Sequence, residues 1–216
     1  MTDNFEQYKE YITNEFKQSV LEEGDTYFVI ELIRRGKDNP DNPAANYHFK
    51  NYYLRKPEDL DKYREEIVKI CELLKLRAYA SVNYKSFKQV TLNTLAELAR
   101  RVSNDDFHKS YNVYESCSGG YYNPKNKRWI IDIDNCDINN SEVQDIKDII
   151  NKACSPVGDK ILYQFNTKSG IHLISKPFNR MEFDNIMNKA VEVGNFIDID
   201  IPEIKKNHLT LLYENI

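Results

Sequence analysis

Two acids interrupt an apolar run at Trp129-Ile130-Ile131-Asp132-Ile133-Asp134-Asn135. The β-branched residues favour an extended chain, and side chains on a strand alternate between its two faces. Asp132 and Asp134 therefore share one face, with Ile131 and Ile133 on the other. At a rise of about 3.3 Å per residue, their Cα atoms stand roughly 6.5 Å apart. Two carboxylates at that spacing repel each other, and burial penalises their charge. A divalent cation between them relieves both costs. Magnesium favours a few carboxylates together with waters and phosphate oxygens. The plainer alternative is a pair of acids at a strand end that cap neighbouring amides.

The strand sits inside a longer alternation. Residues 129 to 134 form a predicted strand, and 141 to 153 a helix with Ser141 as N-cap. Residues 160 to 165 are a strand, 166 to 170 a turn and 171 to 175 a strand. A helix over 180 to 191 follows, with strands over 196 to 201 and 209 to 213. The core order, strand-helix-strand-strand-helix-strand, is that of a ferredoxin-like or split βαβ unit. Before it, apolar spacing predicts helices over 4 to 22, 57 to 75 and 86 to 102. Strands are predicted over 27 to 33, 47 to 54 and 77 to 84. Leu73 and Leu74 are expected on the buried face of the second helix. Val90, Leu92, Leu95, Leu98 and Ala99 are expected inside on the third. The fold class is thus α+β, an RRM-like/ferredoxin-like βαββαβ palm preceded by an N-terminal αβ unit. The expected units are residues 1–109 and 110–216 within one compact structure.

In a ferredoxin-like sheet the first and third strands lie together, the last flanks the first, and the helices leave one face open. That face would gather Asp132, Asp134, His172 and one of Asp198 or Asp200. The turn Thr167-Lys168-Ser169-Gly170 suits an anion, because glycine lets the backbone approach closely and turn amides can cradle phosphate oxygens. Lys168 and Ser169 add donors. An isolated His172 would read as a satisfied sheet histidine, and a Ser-Gly turn alone as an ordinary hairpin.

The 216 residues carry a net charge of -4, which excludes a strongly basic, non-specific nucleic-acid binder. Any such contact falls to local basic clusters, among them Arg34 with Arg35, Arg77, Lys85, and Lys125 with Lys127 and Arg128. The 15 tyrosines suit half-exposed packing or base stacking. Four cysteines without a C-x-x-C pair favour reduced thiols over structural zinc, for which His108, Cys117 and Cys136 would have to meet. No signal peptide or membrane span is predicted, so the expected location is cytoplasmic.

The ordered set Ile131-Asp132-Ile133-Asp134, Ser169-Gly170-Ile171-His172 and Ile197-Asp198 resembles the archaeo-eukaryotic primase superfamily, of the small phage or mobile-element type. The resemblance spans roughly residues 110 to 213. It implies a primase/polymerase-like nucleotidyltransferase acting with Mg2+ or Mn2+. It implies metal ligation by Asp132, Asp134 and Asp198, with Asp200 competing for the third place. His172 would contact the incoming nucleotide's phosphates beside Lys168, Ser169 and Gly170. Arg77 is a further candidate for nucleotide contact, and Arg34, Arg35, Arg77 and Lys85 are candidates for the template. The implied partners are nucleoside triphosphates, a DNA or RNA template and a replication protein such as a helicase, with no membrane. The alternatives are a catalytically degenerate palm that binds nucleic acid or nucleotide, a metal-dependent nuclease, an RRM-like RNA-binding module and an assembly protein.

Overall fold

The computed structural model describes residues 1–22, 25–38, 47–121, 126–136, 140–194, 196 and 201–215. In chain order the elements are β1 (Thr2–Asp3), α1 (Phe5–Glu22), β2 (Thr26–Arg34), β3 (Tyr47–Leu54), α2 (Glu58–Leu74), β4 (Arg77–Ser81), β5 (Lys85–Ser86) and α3 (Phe87–Ser103). There follow α4 (Val113–Gly120), β6 (Trp129–Asp134), α5 (Ser141–Asp148), β7 (Ile161–Asn166), β8 (Gly170–Ser175), α6 (Arg180–Glu192), β9 (Glu203–Lys206) and β10 (Leu209–Glu214). The chain is a mixed α+β structure built on two antiparallel sheets.

The first sheet runs β1-β10-β4-β2-β3, with β5 paired to β2. The second runs β7-β8-β6-β9. Its inner pair sets Asp132 opposite His172 and Asp134 opposite Gly170. A Cβ built on Gly170 would lie 2.0 Å from the Ile133 carbonyl oxygen, so only glycine allows this approach.

Alternation splits the second sheet into two faces. Ile131, Ile133, Ile171, Leu173 and Ile204 form a core with Val143 and Ile146 of α5 and with Phe183 and Met187 of α6. Ile130 and Ile174 point the other way, into a core shared with the first sheet. Helix α1 joins the sheets there. Its Phe5, Tyr8, Tyr11, Ile12 and Phe16 recur every three or four residues and are all buried. Tyr8 and Tyr11 donate their hydroxyls to the carbonyls of Ser81 (2.8 Å) and Val82 (2.5 Å). Both rings pack on Phe165 of β7. Burying each such side chain contributes about 1.5–3 kcal/mol, so this helix fastens one sheet to the other.

Several expectations change. Among the described residues, the strand that flanks β6 is Glu203–Lys206. Phe196 and Ile201 lie outside any strand, and residues 197 to 200, with Asp198 and Asp200, lie outside the described residues. Pro202 directly precedes the observed strand, where a missing N–H is tolerated. Strand β10 pairs with β1 and β4 in the first sheet. The N-cap of α5 is Asn140, whose side chain accepts from the Glu142 amide, rather than Ser141. That helix ends as a π-helical turn over Ile149–Ala153. Leu73 and Leu74 are exposed at the end of α2, and Cys71 takes the buried place. On α3, Leu92, Leu95 and Ala99 are exposed, and only Val90 of the expected set is buried. Helix α4 had no clear sequence signal, its apolar positions being too few to set a period.

Candidate functional site

The face of the second sheet left free by α5 and α6 turns toward the first sheet, and the two enclose a cleft of about 530 Å³. Asp132, His172 and Lys205 line one wall. Glu31 and Arg35 from β2 and its end, Tyr79 and Ser81 from β4, and Lys85 line the other. The crossing from β9 to β10, at Asn207 and His208, closes one side.

Asp132 is the hub. Its Oδ1 lies 3.1 Å from His172 Nε2, and its Oδ2 accepts from Lys205 Nζ. His172 Nδ1 lies 3.0 Å from the hydroxyl of Thr210, a fully buried residue on β10. If that hydroxyl donates to Nδ1, the ring proton sits on Nε2 and faces Asp132. A residue of the first sheet thereby sets the orientation of a histidine on the second. Lys205 also reaches Glu203 at 3.2 Å.

The charges respond to this packing. Burial alone would raise the Asp132 carboxyl, but His172 and Lys205 outweigh it and hold its pKa down at about 2. Burial alone would lower the Lys205 ammonium, but Asp132 and then Glu203 outweigh it and raise its pKa. Lys85 is pushed down to about 8 by burial, which Glu31 only partly opposes. Its Nζ donates to the carbonyls of Ser118 (2.6 Å) and Tyr121 (3.3 Å), at the end of α4. A cation there adds to the bonding of carbonyls at the helix C-terminus, where the helix dipole favours positive charge.

The residues expected at the site fall into three groups. Asp132 and His172 meet in the cleft, and exposed Asp134 stands two residues further along the same face, beside Gly170. Lys168 and Ser169 are exposed on the β7–β8 turn, closed by the Thr167 amide donating to the Gly170 carbonyl at 2.8 Å. Lys168 borders a separate hollow with Met1, Thr2 and Asp3. Arg77 is elsewhere: its buried guanidinium pairs with Asp38 at 2.6 Å and Glu214 at 3.2 Å. Of the template candidates, Arg35 borders the cleft and donates to the Tyr79 hydroxyl at 3.3 Å.

Lys205 and Thr210 escaped the sequence reading. A signal for Lys205 existed, since Glu203 and Lys205 alternate with apolar Ile204 in a short strand pattern. Thr210 carried none, because its role depends on the pairing of β10 with β4.

Two carboxylates on one strand face suit a hard cation such as Mg2+ or Mn2+ in donor type. Among the described residues no group of three His, Cys, Asp or Glu side chains stands ready to hold a metal ion. Among the same residues no helix is long and apolar enough to cross a membrane. None of the four cysteines, all among the described residues, is in a disulfide. No protein-family model, no curated protein and no solved structure matches the chain.

Proposed function

We propose that the chain is a primase/polymerase-like nucleotidyltransferase whose second sheet is an RRM-like palm. The observation that carries this reading is the acidic strand face of β6, set opposite His172 and opening at Asp132 into a cleft walled by the first sheet. The strand order β9-β6-β8-β7, with α5 and α6 packed on one face, supports the palm comparison.

In this reading Asp132 and Asp134 hold Mg2+ or Mn2+, with Asp198 or Asp200 as a third acid. The bound metal would supply charge neutralisation at a triphosphate and a lowered pKa at the attacking hydroxyl. The protein's own groups do the rest. Lys205 would be released from Asp132 once that carboxylate held the metal, leaving its ammonium for phosphate oxygens. His172, held through Nδ1 by Thr210, would pass its Nε2–H from Asp132 to the same oxygens. Lys168 and Ser169, on the exposed 167–170 turn next to Asp134's partner Gly170, would meet the triphosphate only beyond the cleft itself. The substrates would be nucleoside triphosphates and a DNA or RNA template, with a replication protein such as a helicase as partner.

A second reading, a degenerate palm that binds without catalysis, draws support from the Lys205 contact. Asp132 already has two cationic or donor partners, so its charge is compensated without a metal. Calorimetric titration with Mn2+ and a non-hydrolysable nucleoside triphosphate separates the two readings, followed by a primer-extension assay. Metal-dependent binding lost in Asp132→Ala, with extension by the unaltered chain, supports the enzyme. Triphosphate binding that needs no metal, without extension, supports the degenerate palm. Absence of metal-dependent binding overturns the enzyme reading.

A further inference from the structure

We infer that a second hollow beside the cleft is a docking site for the phosphodiester backbone of a single nucleic-acid strand. This rests on the nucleotidyltransferase reading and names where its strand substrate would lie. The hollow has a volume of about 310 Å³ and is bordered by Lys127, Arg128, Trp129, Lys206, Asn83 and Asn207. Asn83 and Asn207 also border the Asp132 cleft, so the two concavities are neighbours. At their junction lie Gly119 and Gly120, and a Cβ built on either would meet nothing within 4 Å.

The chemistry of the hollow stands out against the chain. The protein as a whole is acidic, at -4, yet the described residues bordering this hollow are Lys127, Arg128 and Lys206 among neutral side chains, with the Arg128 charge met by Glu15 behind it. Arg128 is held in place by buried Glu15 at 3.0 Å and by Gln18 at 3.2 Å. Lys206 is exposed, makes no ion pair among the described residues, and holds its Nζ 4.8 Å from the centre of the Trp129 ring. A lysine with no acid beside it, steadied by an aromatic face, is suited to a phosphate oxygen. Two neighbouring concavities, one with cationic side chains on its border and one at Asp132, fit a strand better than a free nucleotide. The Asn83 side chain also holds the bordering wall, accepting from the Arg128 amide at 2.7 Å and donating to its carbonyl at 3.0 Å.

Trp129 is the chain's only tryptophan, so its fluorescence reports on this hollow. The test titrates the full chain, in EDTA and at low salt, with oligo(dT) and oligo(U) of about 12 nucleotides. Tryptophan emission and the anisotropy of a labelled oligonucleotide are read together. Binding of either oligomer with a change in Trp129 emission is expected. Lys127→Gln with Lys206→Gln should weaken affinity roughly tenfold and flatten the log–log salt slope by about 1.4, while Lys127→Arg with Lys206→Arg should retain both. The oligo(dT) and oligo(U) arms tell a DNA strand from an RNA strand. Equal affinity in the glutamine variant, binding with unchanged Trp129 emission, or no oligonucleotide binding would overturn the inference. The Mn2+ and triphosphate titration is unaffected by any of these outcomes, so the site at Asp132 stands or falls separately.

Discussion

Two charged clusters show how similar chemistry can serve different ends. Arg77 pairs with Asp38 and Glu214, and Asp132 pairs with His172 and Lys205. The first cluster is sealed: the Arg77 side chain is 4% exposed and that of Glu214 3%. The second opens on the cleft, with Lys205 25% exposed. A sealed ion pair balances a large desolvation cost against its attraction, so its main effect is to make loss of one partner expensive. An open one can exchange a protein partner for a ligand at modest cost. Reach to a cleft, rather than residue type, separates the structural arginine from the candidate functional aspartate.

The sharpest way to break this contrast is to remove one partner from each cluster. Arg77→Ala should cost about 3–5 kcal/mol of unfolding free energy in urea titration, because Asp38 and Glu214 are left buried and unpaired. A loss near that seen for exposed pairs would mean the cluster is wetter than its burial implies.

Gly170→Ala should come next, at about 2–4 kcal/mol, since the new methyl collides with the Ile133 carbonyl and must part β6 from β8. It should also weaken triphosphate binding by displacing Asp134, which a combined stability and calorimetric measurement checks.

Asp132→Asn should change stability less at neutral pH while abolishing metal-dependent triphosphate binding. Its acid limb gives a further check. The carboxyl titrates at about 2 in the folded chain, below its usual value of 3.8. The depressed folded value means that the stability it contributes is present above the unfolded pKa and is lost as pH falls toward 2. The difference between wild type and Asp132→Asn in urea midpoint should therefore shrink below about pH 4, by an amount equivalent to roughly 2 kcal/mol. A difference that stays constant across that window would mean Asp132 is not held down by His172 and Lys205.

The smallest effect belongs to α3. Leu95 is 59% exposed, so Leu95→Lys should alter stability by no more than about 0.5 kcal/mol. A larger loss in dilute solution would show that the apolar stripe is covered by something beyond the chain described here.

That stripe also shows where sequence reasoning stops. Spacing told helix from strand for α1, α2 and α3 alike, because 3.6-residue periodicity is a local property. It could not tell that α1 is clamped between two sheets while α3 keeps Leu92 and Leu95 in solvent. Arg77 and Arg35 likewise looked equivalent as basic residues near strand ends. Only the place of Glu214 on the C-terminal strand seals one and leaves the other beside the cleft.

The alternation of Ile131, Asp132, Ile133 and Asp134 was enough to place two acids on one strand face, and the position of Gly170 was enough to mark a close turn before His172. Those features follow from period-two geometry and from the freedom of a residue without a side chain, both of which act over a few residues. The partners of Asp132 were decided by the tertiary structure. Lys205 comes from a strand 73 residues away, and Thr210 reaches His172 across 38 residues from the other sheet. The cleft itself exists because α1 and β10 join two sheets that are distant along the chain, and contacts of that range depend on how apolar faces find each other in three dimensions.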